Sequence, residues 1–66
     1  MPVITIEAGK MQREQKLALI QGFTRVASET LNLSPQAFVV VLKENEPDNI
    51  GTGGKMLSQV LAERQK

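Results

Sequence analysis

Two hydrophobic periods follow one another along the first half of this chain. From Pro2 to Ala8 the positions alternate weakly, with Pro2, Ile4 and Ile6 on one face and Val3, Thr5 and Glu7 on the other, the period of a half-buried strand. Gly9 ends the extended run, so "AGKMQ" reads as a loop. From about Gln12 to Leu31 the period lengthens. Leu19, Ile20, Phe23, Val26, Ala27 and Leu31 recur at spacings of three and four, while Arg13, Lys16, Gln21, Arg25 and Glu29 fill other faces. That pattern predicts an amphipathic helix. Gly22 inside it costs around 1 kcal/mol relative to Ala and is expected to mark close packing.

"NLSPQ" breaks the helix, with Asn32 as its stop and Ser34 and Pro35 as cap and first position of a short turn. "AFVVVLKE", Ala37 to Glu44, follows with three consecutive valines and is the strongest strand signal in the sequence. Both of its faces are apolar, Phe38, Val40 and Leu42 against Val39 and Val41, so both require cover. One helix covers only one face, which leaves the other for another subunit. Strand, helix and strand make a βαβ unit with parallel strands and a right-handed crossover. A two-stranded sheet is too small to stand alone. Beyond the polar loop "NEPDN", three glycines within Gly51 to Gly54 predict a tight hairpin or extended arm, and "KMLSQVLAERQK" a short terminal helix or an arm that packs on a neighbour. The fold class is therefore α/β (α+β), one domain over residues 1–66.

Composition sharpens the need for partners. Ordering 66 residues costs on the order of 100 kcal/mol, and a core this small offsets that at best. The sequence has no Cys and no His, and no acidic cluster at metal-ligand spacing, so disulfides and metals are not its staples. Oligomerisation remains. Eight Lys and Arg are dispersed among seven Asp and Glu, and only Phe23 and Phe38 are aromatic, which argues against a nucleic-acid surface. No apolar run reaches membrane-spanning length and no signal peptide precedes the first strand, so the expected location is the cytoplasm.

Most familiar chemistries fail on residue type or spacing. "GTGGK" resembles a phosphate loop, but such a loop needs GxxxxGK[ST] and here Met56 follows Lys55. Nucleophilic triads lack both His and Cys. Glu7, Glu44, Glu46 and Asp48, in a polar loop and at strand ends, read as solvated surface. The residue that stands apart is Pro2. Behind an initiator methionine it can simply begin a strand, since it lacks an N–H. A small residue there also permits removal of Met1, which would expose a secondary amine in a fixed ring.

"MPVITIE", the "GK" of the following loop, "EQK" opening the helix, "VVVLKE" in the second strand and "NIGTGGK" in the tail together resemble the 4-oxalocrotonate tautomerase-like group of the tautomerase superfamily over nearly the whole chain. The resemblance implies a cofactor-independent isomerase of small 2-hydroxy-dienoate or enol acids, assembled as a hexamer of three dimers. It implies that processed Pro2 is the general base. An α-amino group titrates near neutrality, and apolar surroundings lower its pKa toward a value suited to that role. The family arginine that binds the substrate carboxylate is matched by Lys10 or, with a shift, by Arg13. Lysine neutralises a carboxylate without arginine's planar fork. The second-strand arginine that polarises the substrate oxygen is matched by Val39, which has nothing to donate, and the phenylalanine wall before the glycine turn by Ile50. A noncatalytic oligomeric or small-molecule-binding module on the same fold is the alternative, favoured by Val39.

Overall fold

The computed structural model describes residues 1–64. Strand β1 (Val3–Ala8) leads into helix α1 (Arg13–Leu31), and β2 (Val39–Glu44) returns parallel to β1 with Val3 opposite Val39 and Ala8 opposite Glu44. A one-turn 3₁₀ segment at Pro47–Asn49 then opens the C-terminal arm, formed by β3 (Gly51–Thr52), β4 (Lys55–Met56) and α2 (Leu57–Arg64). The expected parallel βαβ unit, hairpin and terminal helix are all present. Residues 65 and 66, counted above in that helix, lie outside the described residues.

The boundaries follow from local chemistry. Pro2 has no N–H to give a ladder, so the strand begins at Val3, but the Pro2 carbonyl still accepts the Val39 N–H at 3.1 Å. Gln12 caps α1 instead of joining it. Its N–H donates to the Gln15 side-chain oxygen at 2.8 Å, and its carbonyl accepts the Lys16 N–H at 3.1 Å. At the other end Asn32 sits in the left-handed region with φ of 55°, and Leu33 N–H donates to the Ser28 carbonyl at 3.1 Å, a Schellman termination. β2 starts two residues later than its apolar run because Ser34 caps a 3₁₀ turn over Pro35–Ala37. Gly53 and Gly54, with φ of 60° and 80°, form the two-residue turn between Thr52 and Lys55, where positive φ at both positions suits glycine.

One face of the sheet lies under the helix. Ile4, Ile6, Val40 and Leu42 are half-buried there with Leu19, Phe23 and Ala27 of α1. The other face is bare: Val3, Val39 and Val41 are 57%, 38% and 37% exposed. Val26 and Leu31, which share the helix's apolar stripe in sequence, are also exposed. Two strands about 4.8 Å apart make a support narrower than a helix of about 10 Å diameter, so the flank of the stripe overhangs. Gly22 belongs to that overhang, and contrary to expectation a Cβ there would meet nothing within 4 Å. Among the described residues none is buried. The radius of gyration, 15.7 Å, exceeds the roughly 11 Å of a compact chain of this length, because the arm packs mainly on itself and extends the chain to 46 Å. No helix among the described residues is long and apolar enough to cross a membrane.

Candidate active site

Pro2 stands at the mouth of β1, half-buried, its carbonyl fixed by Val39. Met1 ahead of it is 88% exposed and open to removal. The parallel register carries Pro2 and Val39 to the same end of the sheet. Their side chains diverge there, because Val39 pairs with Val3 on the bare face whereas Pro2 continues the Ile4 and Ile6 side.

The cations lie at the other end. Lys10 follows the last residue of β1 across Gly9, and Arg13 is the first residue of α1, exposed and without an ion pair among the described residues. The six residues of β1 at about 3.3 Å each put roughly 20 Å between these cations and Pro2. Ile50 is half-buried at the root of the arm, where its carbonyl accepts the Leu57 N–H at 2.8 Å. One chain thus unites Pro2 with the Val39 backbone. It does not bring Lys10, Arg13 or Ile50 to them.

Two carboxylates that read as solvated surface organise the cationic end. Glu44, at the end of β2, accepts the Met11 N–H at 3.2 Å and pairs with Lys16, which ties the β1–α1 loop and the first turn of α1 to the sheet. Those contacts, the Lys16 ammonium first and the Met11 N–H second, hold the Glu44 carboxyl below its ordinary range. Glu46 lies beyond it, with Oε1 2.7 Å from Lys10 Nζ, and its hydrogen bond and charge raise the Lys10 pKa. The signal for Glu44 was available in the parallel register, which sets the residue opposite Ala8 beside the "GK" loop.

Lys10 also lines an open groove of about 430 Å³ with Met11, Gln15, Ala18 and Leu19. Small-molecule sites are concave, largely apolar and furnished with few polar groups, a description this groove meets. A groove of about 450 Å³ on the outer flank of α1, between Ile20 and Pro35, is lined by none of Pro2, Lys10, Arg13, Val39 and Ile50.

The family model described as tautomerase enzyme matches residues 2–59. Over 60 residues the chain is 37% identical to a probable tautomerase of Halalkalibacterium halodurans, covering 88% of this chain and 97% of that protein. It is 38% identical over 61 residues to a probable tautomerase of Dickeya dadantii, covering 89% and 91%. Among solved structures it resembles TomN, a 4-oxalocrotonate tautomerase homologue in the tomaymycin biosynthetic pathway, with a TM-score of 0.86 and 26% identity over 92% of this chain and 95% of that one. Since these matches take in the proline strand, the helix, the second strand and the glycine hairpin together, the chain belongs to the tautomerase family.

Proposed function

We propose that the protein is a tautomerase that moves a proton between oxygen and carbon of a small enol or keto carboxylic acid, with Pro2 as the proton carrier. The observation that carries this reading is the placement of Pro2: a ring at a strand mouth, half-buried, with its carbonyl hydrogen-bonded to the neighbouring strand. Removal of Met1 converts its nitrogen from an amide to a secondary amine. Partial burial on the Ile4 side disfavours the ammonium form and lowers the amine's pKa, so a free base is available near neutral pH. That base takes the enol O–H proton, and the resulting ammonium returns a proton to carbon as the C=O forms. Bonds and charge balance without redox chemistry or a cofactor.

The remaining parts of the site come from neighbouring copies in this reading. Lys10 or Arg13 of a second chain supplies the cation for the substrate carboxylate, since both lie a strand's length from Pro2 of their own chain. Val39 faces outward from the bare side of the sheet and Ile50 sits at the root of the arm, positions compatible with walling a neighbour's pocket in this reading. A hexamer of three dimers has the symmetry to repeat such a shared site. The observation favouring a noncatalytic binding oligomer is that the Val39 side chain carries no hydrogen-bond donor.

The test is ketonisation of phenylenolpyruvate by protein lacking Met1, compared with Pro2→Ala prepared in the same way. General acid–base catalysis contributes about 10²- to 10⁴-fold, so Pro2→Ala is expected to lose at least about a hundredfold in kcat/KM. No turnover above buffer by the processed wild type would leave the noncatalytic reading standing.

A further inference from the structure

We propose that Glu46 is a specificity-determining residue of the carboxylate site: it occupies the Lys10 ammonium, and a substrate carboxylate binds there only by displacing it. This rests on the tautomerase reading above and deepens it. Two Lys–Glu pairs stand at the same end of the sheet, and they differ in what holds them. Lys16 and Glu44 are 37% and 23% exposed, and Glu44 also holds the Met11 N–H, so breaking that pair would loosen the loop. Lys10 and Glu46 are 63% and 57% exposed, and no other hydrogen bond to the Glu46 carboxylate is present among the described residues. An ion pair so open to water is worth little, and exchanging one carboxylate for another costs little more.

The backbone keeps Glu46 in place as a competitor. Its φ of −64° and ψ of 138° are the extended conformation that a following proline enforces, here Pro47. The side chain therefore leaves the backbone between β2 and Ile50 within reach of Lys10, and its Oε1 lies 2.7 Å from Lys10 Nζ, the distance of a charge-assisted hydrogen bond. Lys10 meanwhile borders the groove formed with Met11, Gln15, Ala18 and Leu19, which offers an apolar floor to the rest of a bound acid. With Glu46 in contact the local charge at that rim is near zero. An acid gains the cation by displacing Glu46, at a cost no larger than the worth of an exposed ion pair.

The experiment is steady-state kinetics on phenylenolpyruvate at fixed ionic strength, using Met1-free protein in four forms: wild type, Glu46→Gln, Lys10→Ala and the double variant. Glu46→Gln keeps the side chain's size and removes its charge. Its KM is expected to fall roughly two- to fivefold, the range of an exposed ion pair, with kcat changed less. In the Lys10→Ala background the same substitution is expected to leave KM where Lys10→Ala alone puts it. An unchanged KM in Glu46→Gln, with wild type turning over normally, overturns the role of Glu46 and leaves the tautomerase reading intact. An equal fall with and without Lys10 overturns it too, because Glu46 would then act as a general field. Absence of turnover by wild type removes the tautomerase reading and this inference with it.

Discussion

The Val39 N–H donates to the Pro2 carbonyl at 3.1 Å, one residue ahead of the first strand pair, Val3 with Val39. The second strand therefore holds the proline's own carbonyl, which anchors the residue to the ladder by its C-terminal side. The contact is made by backbone, so it survives any side chain at position 39. The apolar side chain of Val39 has no bearing on where Pro2 stands.

The first prediction concerns Met1. While Met1 is attached, the Pro2 nitrogen belongs to a tertiary amide whose lone pair is delocalised into the carbonyl, and it is no base at ordinary pH. Protein retaining Met1 is expected to be inactive on phenylenolpyruvate, and protein lacking it active. Turnover should then follow one ionisation, with a pKa below that of an exposed terminus. Intact mass measured beside turnover decides it: equal rates from fully retained and fully processed preparations would exclude Pro2 as the base.

Acid stability should report on Glu44. Its folded-state pKa is lowered by the Lys16 ammonium and the Met11 N–H, so the unfolded chain binds the proton more readily. The pair's contribution is then complete above the ordinary carboxylate value of 4.5 and is lost as pH falls through the lowered folded value. Glu44→Gln is expected to melt below wild type at about pH 7, with the difference closing as pH falls below 4.5 and through the lowered folded value. A gap that persists at acid pH would assign the loss to packing.

Much of this was legible because it is local. Alternation in "VITIE", the three- and four-residue spacings from Leu19 to Leu31, and the Ser34–Pro35 cap each answer to neighbours within a turn or a strand. The late start of β2 was not, since Phe38 is as apolar as the valines after it and only the 3₁₀ turn decides where pairing begins. Gly22 reads as close packing from its helix-breaking cost alone, but a Cβ there would meet nothing within 4 Å in its own chain. Glu46 is solvated surface as its sequence suggests, whereas Glu44 is not, because its partners Lys16 and Met11 are far away in sequence. The separation of Pro2 from Lys10 is a consequence of strand length, and no motif encodes it.

Assembly is predicted from the bare face. Val3, Val39 and Val41 line one side of the sheet, and no described residue of the single chain is buried. A second copy is required for a core, so the protein is expected to sediment at micromolar concentration as an oligomer of its 7.3 kDa chain. Val41→Asp places a charge in that face and should dissociate the assembly with loss of cooperative unfolding. A stable, folded 7.3 kDa monomer of wild type would refute the expectation.

The last prediction separates the two cations. Lys10 reaches a groove and is shared with Glu46, whereas Arg13 makes no ion pair among the described residues and stands at the first position of α1. If Lys10 meets the substrate carboxylate, Lys10→Ala removes binding that is equal in ground and transition state, so KM for an anionic enol should rise about three- to tenfold with kcat affected less. The increase is smaller than for an unshared cation, because binding to wild type already includes displacing Glu46. Arg13→Ala should then raise KM by less than Lys10→Ala, through the loss of a more distant positive charge. A neutral enol of the same shape should be indifferent to both substitutions, which separates charge from packing. The reverse order of the two KM effects would move the carboxylate to Arg13, and wild-type behaviour from both single variants and the double variant would show that neither residue binds it.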